Sequence, residues 1–398
     1  MAARFARESG LMKIAIIQFP GSTGLRDAQL ALERAGIESI DFFYNQALDQ
    51  LKEMHGYLLL GGFSFDDEPR PGVMAALQPV MLALAEQSEL GKPILGIGNG
   101  AQILVESGLV PGLENNKQSI ALTQNKRVVN NKLIGPHFYN ANLEIKLSDS
   151  YQRNAFTHRL TKNDRWMWPL ASAQGRFFMS PALLQEIQIN GLNVFQYCDE
   201  VNNGSIDNIA AISNKAGNII AIMPHLERTT DGDAIFLSMK HYIESGYSDQ
   251  VAPLNYYPRQ YQIKPYVKPV NTHELIIDTA ALRHKSDSVN QHLALSSQCF
   301  QYIEVSCDSL EVWQQINESN VLFEADDRLV PAREVNEALL IKPKDDVLGQ
   351  YMLQTLQSRF GMKGVIGVRS GMLWVGIPKA ARRVVFNPVI EDCYQYRP

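Results

Sequence analysis

Cysteine is scarce in this chain: Cys198, Cys299, Cys307 and Cys393 are the only four among 398 residues. They form no CxxC pair and no zinc-ligand spacing, which argues against a disulfide scaffold or a zinc site and for reduced thiols buried as small hydrophobes. No stretch approaches the roughly 18–20 consecutive apolar residues that a bilayer-spanning helix needs. Charge of one sign is not in large excess either. A formal net charge of −5 gives no electrostatic reason to expect nucleic acid or a membrane surface as partner. There is no phosphate-binding loop, and His137 and His158 lack neighbours at metal-ligand spacing, so both read as structural. The leader contains Arg4 and Arg7 but no apolar core, so a secretory signal is not expected. Met12 reads as a candidate natural start, and the expected compartment is the cytoplasm.

What is present is ordinary for a globular protein, with 45% hydrophobic and 20% charged residues. The length predicts two or more domains. From residue 13 to about 246, short apolar runs alternate with helical patterns. Ile14-Ala15-Ile16-Ile17 reads as a buried strand ending in the turn Phe19-Pro20-Gly21-Ser22. A helix is predicted over 25–35, stopped by Gly36, then strands over 39–43 and 56–60, a long helix over 74–90 and a strand over 92–97. Such alternation predicts a parallel sheet covered on both faces, with the site beyond the carboxyl ends of its strands. The turns after Gln18, Leu60 and Ile97 should therefore converge on one edge. Beyond Leu109 the alternation over 142–147 and the paired runs 208–212 and 217–223 read as antiparallel. A helix over 234–243 closes the domain.

Residues 247–272 carry several prolines and tyrosines without either hydrophobic period, and read as a semi-rigid linker. Beyond it, 274–277, 287–295 and 302–305 form one strand–helix–strand pattern. A second pattern follows at 338–341, 346–360 and 365–368, with a further strand over 372–375. The two units suggest a split βαβ domain containing an internal repeat.

The chemistry centres on Gly96-Ile97-Gly98-Asn99-Gly100. A strand turning directly into a helix, with glycines two before and two after the turning residue, is the layout of a nucleophile elbow. Here the turning residue is Gly98, which has no side chain to present. Gly61-Gly62-Phe63-Ser64 follows another strand and is expected to offer free backbone N–H groups. His225 and Glu227, two apart at a strand end, can place an imidazole by the elbow with a carboxylate to orient it. Each element alone is a weak signal, since a Gly-Gly is usually a turn and a His-x-Glu usually a structural pair. As an ordered set they are the parts of acyl-transfer catalysis, a base, an orienter and an oxyanion hole, without the nucleophile.

The residues just named, with Asp27, Arg70, Gly72, Gln102-Ile103-Leu104, Gly175-Arg176-Phe177, Asn203-Gly204-Ser205 and Met223-Pro224-His225-x-Glu227-Arg228, resemble a class I glutamine amidotransferase. The resemblance is specifically to the glutaminase component of phosphoribosylformylglycinamidine synthase, the PurQ family, over 12–246. It implies an α/β, flavodoxin-like fold, with Gly98 at the position of the family nucleophile and His225 and Glu227 as its catalytic partners. Gly61, Gly62, Phe63, Asn99 and Gln102 would form the oxyanion and substrate-binding elements. The family hydrolyses glutamine through a cysteine at the elbow and passes ammonia to an ATP-dependent synthase of purine biosynthesis. Residues 273–398 resemble the smaller α+β PurS family, the bridging subunit of the same synthase. The match is best over 337–398, through Lys342-Pro343, Leu348-Gly349-Gln350, Val368-Arg369-Ser370-Gly371 and Asn387-Pro388. Little room remains for that family's second helix between Ile377 and Phe386. The resemblance implies the synthase catalytic subunit as partner, dimerisation through the C-terminal domain, and glutamine as ligand. ATP and magnesium would sit on the partner, with no cofactor or metal in this chain.

Gly98 is not the sole departure from the family pattern. The His-Gly-Glu-Gly-Arg-Phe element of the family reads Ser172-Ala173-Gln174-Gly175-Arg176-Phe177, and a loop glycine after Phe65 is Asp66. These accompanying changes favour natural loss of the site over a single introduced substitution. Glycine tolerates the strained turn, so the scaffold should survive the change. Three readings follow: a pseudo-glutaminase acting in assembly of the synthase, an active glutaminase with an unrecognised nucleophile, and a non-enzymatic glutamine- or nucleotide-binding regulator. Among the thiols, Cys198 is the nearest candidate for a replacement nucleophile.

Overall fold

In the computed structural model, residues 11–113, 118–199, 202–247 and 262–398 are described. The chain divides into two compact units. The first comprises Met1–Asp67, Pro71–Asn125 and Phe138–Arg259; the second comprises Glu68–Arg70, Lys126–His137 and Gln260–Pro398.

The first unit is built on β1 (Lys13–Gln18), β2 (Glu38–Phe43), β3 (Gly56–Leu59), β4 (Ile94–Ile97), β5 (Tyr139–Leu147), β6 (Arg165–Ser172), β7 (Asn193–Tyr197), β8 (Ile209–Ser213) and β9 (Ile219–Ile222). They form one nine-stranded sheet in the order β2-β1-β3-β4-β9-β8-β7-β5-β6. β2, β1, β3, β4 and β9 run parallel. The remaining pairings are antiparallel. The parallel half has the expected doubly wound, flavodoxin-like order. Its central strands β3, β4 and β9 are buried throughout, as strands covered on both faces must be.

Helix α1 (Leu25–Arg34) ends at Ala35, with Gly36 taking φ 67° just beyond it. The single helix expected over 74–90 is two, α2 (Val73–Ala76) and α3 (Pro79–Glu89). Pro79 has no N–H to continue the first and suits the opening turn of the second. α4 (Asn99–Ser107) leaves β4 without a linker and stops at Gly108, φ 80°. α5 (Pro181–Ile189) precedes β7, and α6 (Asp233–Glu244) closes the unit. Trp166 and Trp168 stack on one another and against Phe195 inside the sheet, as core residues.

The second unit contains β10 (Ile263–Pro265), β11 (Thr272–Asp278), α7 (Ala280–Leu293), β12 (Gln298–Cys307), α8 (Leu310–Ser319), β13 (Arg328–Leu329), β14 (Ala338–Pro343), α9 (Val347–Ser358), β15 (Val365–Val375), α10 (Arg382–Val385) and β16 (Glu391–Tyr396). Its sheet runs β10-β16-β14-β15-β12-β11-β13.

Four expectations need correction here. A split βαβ unit separates parallel strands, but β11–β12 and β14–β15 are adjacent antiparallel pairs. The runs 365–368 and 372–375 are one strand, because buried Ser370 is held in line by Asp346, whose Oδ2 accepts its N–H at 2.6 Å. α7 begins seven residues before 287, since Thr279 caps it by accepting the Leu282 N–H at 3.2 Å. Part of the proposed linker, 248–261, lies outside the described residues. From Ile263 the chain is already a strand paired with β16, and Tyr266 packs against the core of the second unit.

Among the described residues no helix is long and apolar enough to cross a membrane.

Candidate active site

The elbow forms as its glycines demand. Gly98 sits at φ 56°, ψ −111° between β4 and α4, in backbone space that side chains rarely enter. A β-carbon on Gly100 would lie 2.2 Å from the Leu59 carbonyl oxygen, and one on Gly96 would lie 2.6 Å from that of Gly100. Both distances are below any real contact, so strand and helix cross this closely only with glycine at each position.

His225 faces the turn. A β-carbon on Gly98 would stand 3.2 Å from its Nε2 and 3.0 Å from its Cε1. The opposite ring nitrogen, Nδ1, lies 2.8 Å from Glu227 Oε1. Both side chains are nearly sealed, at 4% and 3% exposure. An ionised carboxylate can only accept there, which assigns a proton to Nδ1 and leaves the Cε1–Nε2 edge of the ring facing position 98. The His225 backbone N–H is held by the Pro169 carbonyl at 2.7 Å. Arg228 Nε lies 3.7 Å from the bonded Glu227 oxygen and 3.8 Å from Asp27 Oδ2.

Gly61 also packs on the ring: its β-carbon would meet His225 Cε1 at 2.7 Å. The loop that follows departs from expectation. The N–H groups of Phe63, Ser64 and Phe65 are not free. They donate to Gly21 O at 2.9 Å, Asn99 Oδ1 at 3.0 Å and Pro20 O at 2.8 Å. The cause is the neighbouring turn 20–23, which pairs with the loop backbone, Thr23 N–H in turn bonding Gly61 O. Gly62, at φ 115°, packs against Gly21 O, and the Phe63 ring is exposed.

Asn99 and Gln102 serve as braces. Asn99 Nδ2 donates to Asp67 Oδ1 at 2.8 Å and to Gln102 Oε1 at 2.9 Å, while Gln102 Nε2 donates to the Gln174 carbonyl at 2.8 Å. That last bond ties the elbow helix to the divergent segment 172–177. Asn125 holds the same segment, through Ser172 O at 2.6 Å and the Gly175 N–H at 3.2 Å. Asn203 and Ser205 complete its support, at Gly175 O and the Phe177 N–H. The Ser172 hydroxyl is buried and has no hydrogen-bond partner among the described residues.

Asp67 and Asn125 escaped sequence reasoning, because neither carries a motif. The one local signal for the first was the adjacent pair Asp66-Asp67, a residue type that tolerates left-handed backbone; Phe65, Asp66 and Asp67 take φ of 52°, 59° and 57°. Cys198 does not replace the nucleophile. It follows β7 directly, lining an open cleft with Glu144, Lys146 and Arg165, and β8 and β9 lie between β7 and the elbow strand. Cys299, Cys307 and Cys393 belong to core clusters of the second unit.

A doubly wound sheet carrying an elbow, with a histidine–carboxylate pair beside its turning residue, is an acyl-transfer scaffold of the class that includes glutamine amidotransferases. Residues 11–242 match the family model described as a CobB/CobQ-like glutamine amidotransferase domain. The subunit PurQ of phosphoribosylformylglycinamidine synthase from Methanothrix thermoacetophila is 35% identical over 264 residues, covering 58% of this chain and 98% of that protein. The subunit of the same name from Aquifex aeolicus is 36% identical over 231 residues, covering 55% and 92%. A chain from the structure of PurLQS from Thermotoga maritima aligns at 30% identity and a TM-score of 0.48, covering 59% of this chain and all of that one. This chain belongs to the PurQ family of glutamine amidotransferases.

Proposed function

We propose that the chain is the glutaminase-type component of a phosphoribosylformylglycinamidine synthase, acting in purine biosynthesis and joined in one polypeptide to a PurS-like bridging domain. Its partner is the synthase catalytic subunit, which holds ATP and magnesium. Its main role is assembly of that complex, with ammonia supplied from solution or by another glutaminase.

The observation that carries this reading is the bare α-carbon of Gly98 opposite His225 Nε2. Glutamine hydrolysis by this family begins with a thiolate attacking the amide carbon, releasing ammonia and leaving a thioester for water to cleave. With no thiol at position 98 the thioester has no sulfur to form on. Loss of the nucleophile from a comparable triad lowers the rate by several orders of magnitude, leaving what binding and the remaining groups supply. The retained His225–Glu227 pair favours one secondary reading, slow hydrolysis in which Nε2 deprotonates a water directly.

The test is turnover of the reconstituted synthase with formylglycinamide ribonucleotide, ATP and magnesium. The expected result is product with ammonium and little or none with glutamine, together with co-purification of this chain and the catalytic subunit. Glutamine-dependent turnover equal to that with ammonium would overturn the assembly role. Failure to bind or affect the catalytic subunit would instead favour a separate glutamine- or nucleotide-binding regulator.

A further inference from the structure

The second unit repeats itself. Its first half runs β11-α7-β12-α8-β13 and its second runs β14-α9-β15-α10-β16. Within each half the second strand pairs antiparallel with the first on one side, and the third strand pairs antiparallel with the first on the other. The halves join through β12 and β15, antiparallel from Gln298 opposite Val375 to Cys307 opposite Val365. The six strands thus mirror about that seam, as a two-fold axis requires of an isologous contact. Local chemistry repeats too. Thr279 caps α7 at the Leu282 N–H, and Asp346 caps α9 at the Gly349 N–H.

Packing crosses the seam. Val289 of α7, from the first half, shares a core with Leu339, Ile341 and Trp374 of the second. Leu356 of α9, from the second half, shares a core with Leu275, Ile303 and Ile316 of the first. Each half therefore covers the other's strands. The copies have also diverged in complementary places, the first keeping a ten-residue second helix and the second only four residues of it.

We infer that this unit is one β-α-β-α-β module present twice, and that the β12–β15 seam is a self-association surface whose partner, a second copy of the module, is supplied in cis. A dimer formed by two chains through this surface has no open strand edge left at the seam to use.

Ser306 and Gly367 face each other across the seam, and a β-carbon on Gly367 would lie 3.9 Å from that of Ser306. This is within the 3.5–4.5 Å range of disulfide β-carbons. Oxidation of the full chain carrying Ser306→Cys and Gly367→Cys should give a disulfide within one chain, read by intact and peptide mass spectrometry, with Ser306→Cys alone as control. A disulfide joining two chains at these positions, or none at all, overturns the proposal. As a second readout, Val289→Ala should lower amide protection in β14 and β15 by about tenfold or more. A loss confined to α7 and β12, which share that core from the first half, would show that the halves do not complete one another, and would overturn it equally.

Discussion

Nε2 of His225 lies 3.2 Å from the point where a β-carbon on Gly98 would stand. An imidazole is held on its carboxylate with its Cε1–Nε2 edge against an atom the chain does not have. The nucleophile's mount and its two partner side chains are in place.

Gly98→Cys should therefore return a glutaminase. A residue other than glycine at φ 56° costs roughly 1–3 kcal/mol, which a folded domain of this size tolerates. Glutamine-dependent ammonia release with the synthase partner should rise at least about 10³-fold over the parent chain. The new thiol should be alkylated by iodoacetamide before the four native ones. A folded variant with no gain would place further losses, at Ser172 or Gln174, above the missing thiol.

Gly61→Ala should move the imidazole. Its β-carbon would fall 2.7 Å from His225 Cε1, so the ring must swing away from position 98 or from Glu227. In the Gly98→Cys background this should lower turnover by about 10²-fold, as an ångström of misplacement does elsewhere. Far-ultraviolet circular dichroism should be unchanged.

Asp66 occupies a left-handed conformation, φ 59°, which glycine adopts without a side-chain penalty. Asp66→Gly relieves that strain but frees the unfolded chain. The expected net gain is about 0.5–1 kcal/mol, seen as a rise of about 1–3 °C in the melting temperature.

In the second unit, Lys342 Nζ lies 2.8 Å from Glu304 Oε2, both nearly buried, under the rings of Tyr266 and Tyr302. Burial pushes the Glu304 carboxyl up, but the hydrogen bonds from Lys342 and Tyr266 and the lysine charge outweigh it and hold the group below its ordinary value. A depressed carboxyl adds stability above its unfolded value, about 4.3, and loses it as pH falls through the folded one. Lys342→Met should cost about 3–5 kcal/mol near neutrality by leaving a buried carboxylate unpaired. Its stability should then improve on acidification, the reverse of the parent, in denaturant titrations across pH. The double variant Lys342→Met with Glu304→Gln should recover most of the loss.

The parallel half of the first sheet was legible because its strands are uninterrupted apolar runs and its helices are punctuated by glycine. Ile14–Ile17, Gly36 and Gly108 each signal their element locally. The convergence of the turns after Gln18, Leu60 and Ile97 followed from that order alone. Legibility failed where a single residue or a distant partner decides. Pro79 restarts a helix inside a continuous apolar pattern. Thr279 starts α7 earlier than periodicity suggests. The loop after Gly62 reads as a row of open donors, yet the turn 20–23 and Asn99 take them up, and no local pattern reveals those partners. The antiparallel pairing of the second unit is likewise a long-range choice, since a strand–helix–strand pattern is compatible with either direction.

Gly61 carries a lesson for reading motifs. It stands against the imidazole whether or not a thiol stands at position 98, so a larger residue there must displace the His225 ring. Glycine at that position is what lets the ring stay beside Glu227, independent of any hydrolysis of glutamine. A glycine kept in such a loop thus testifies to the neighbour it accommodates. It is silent about turnover.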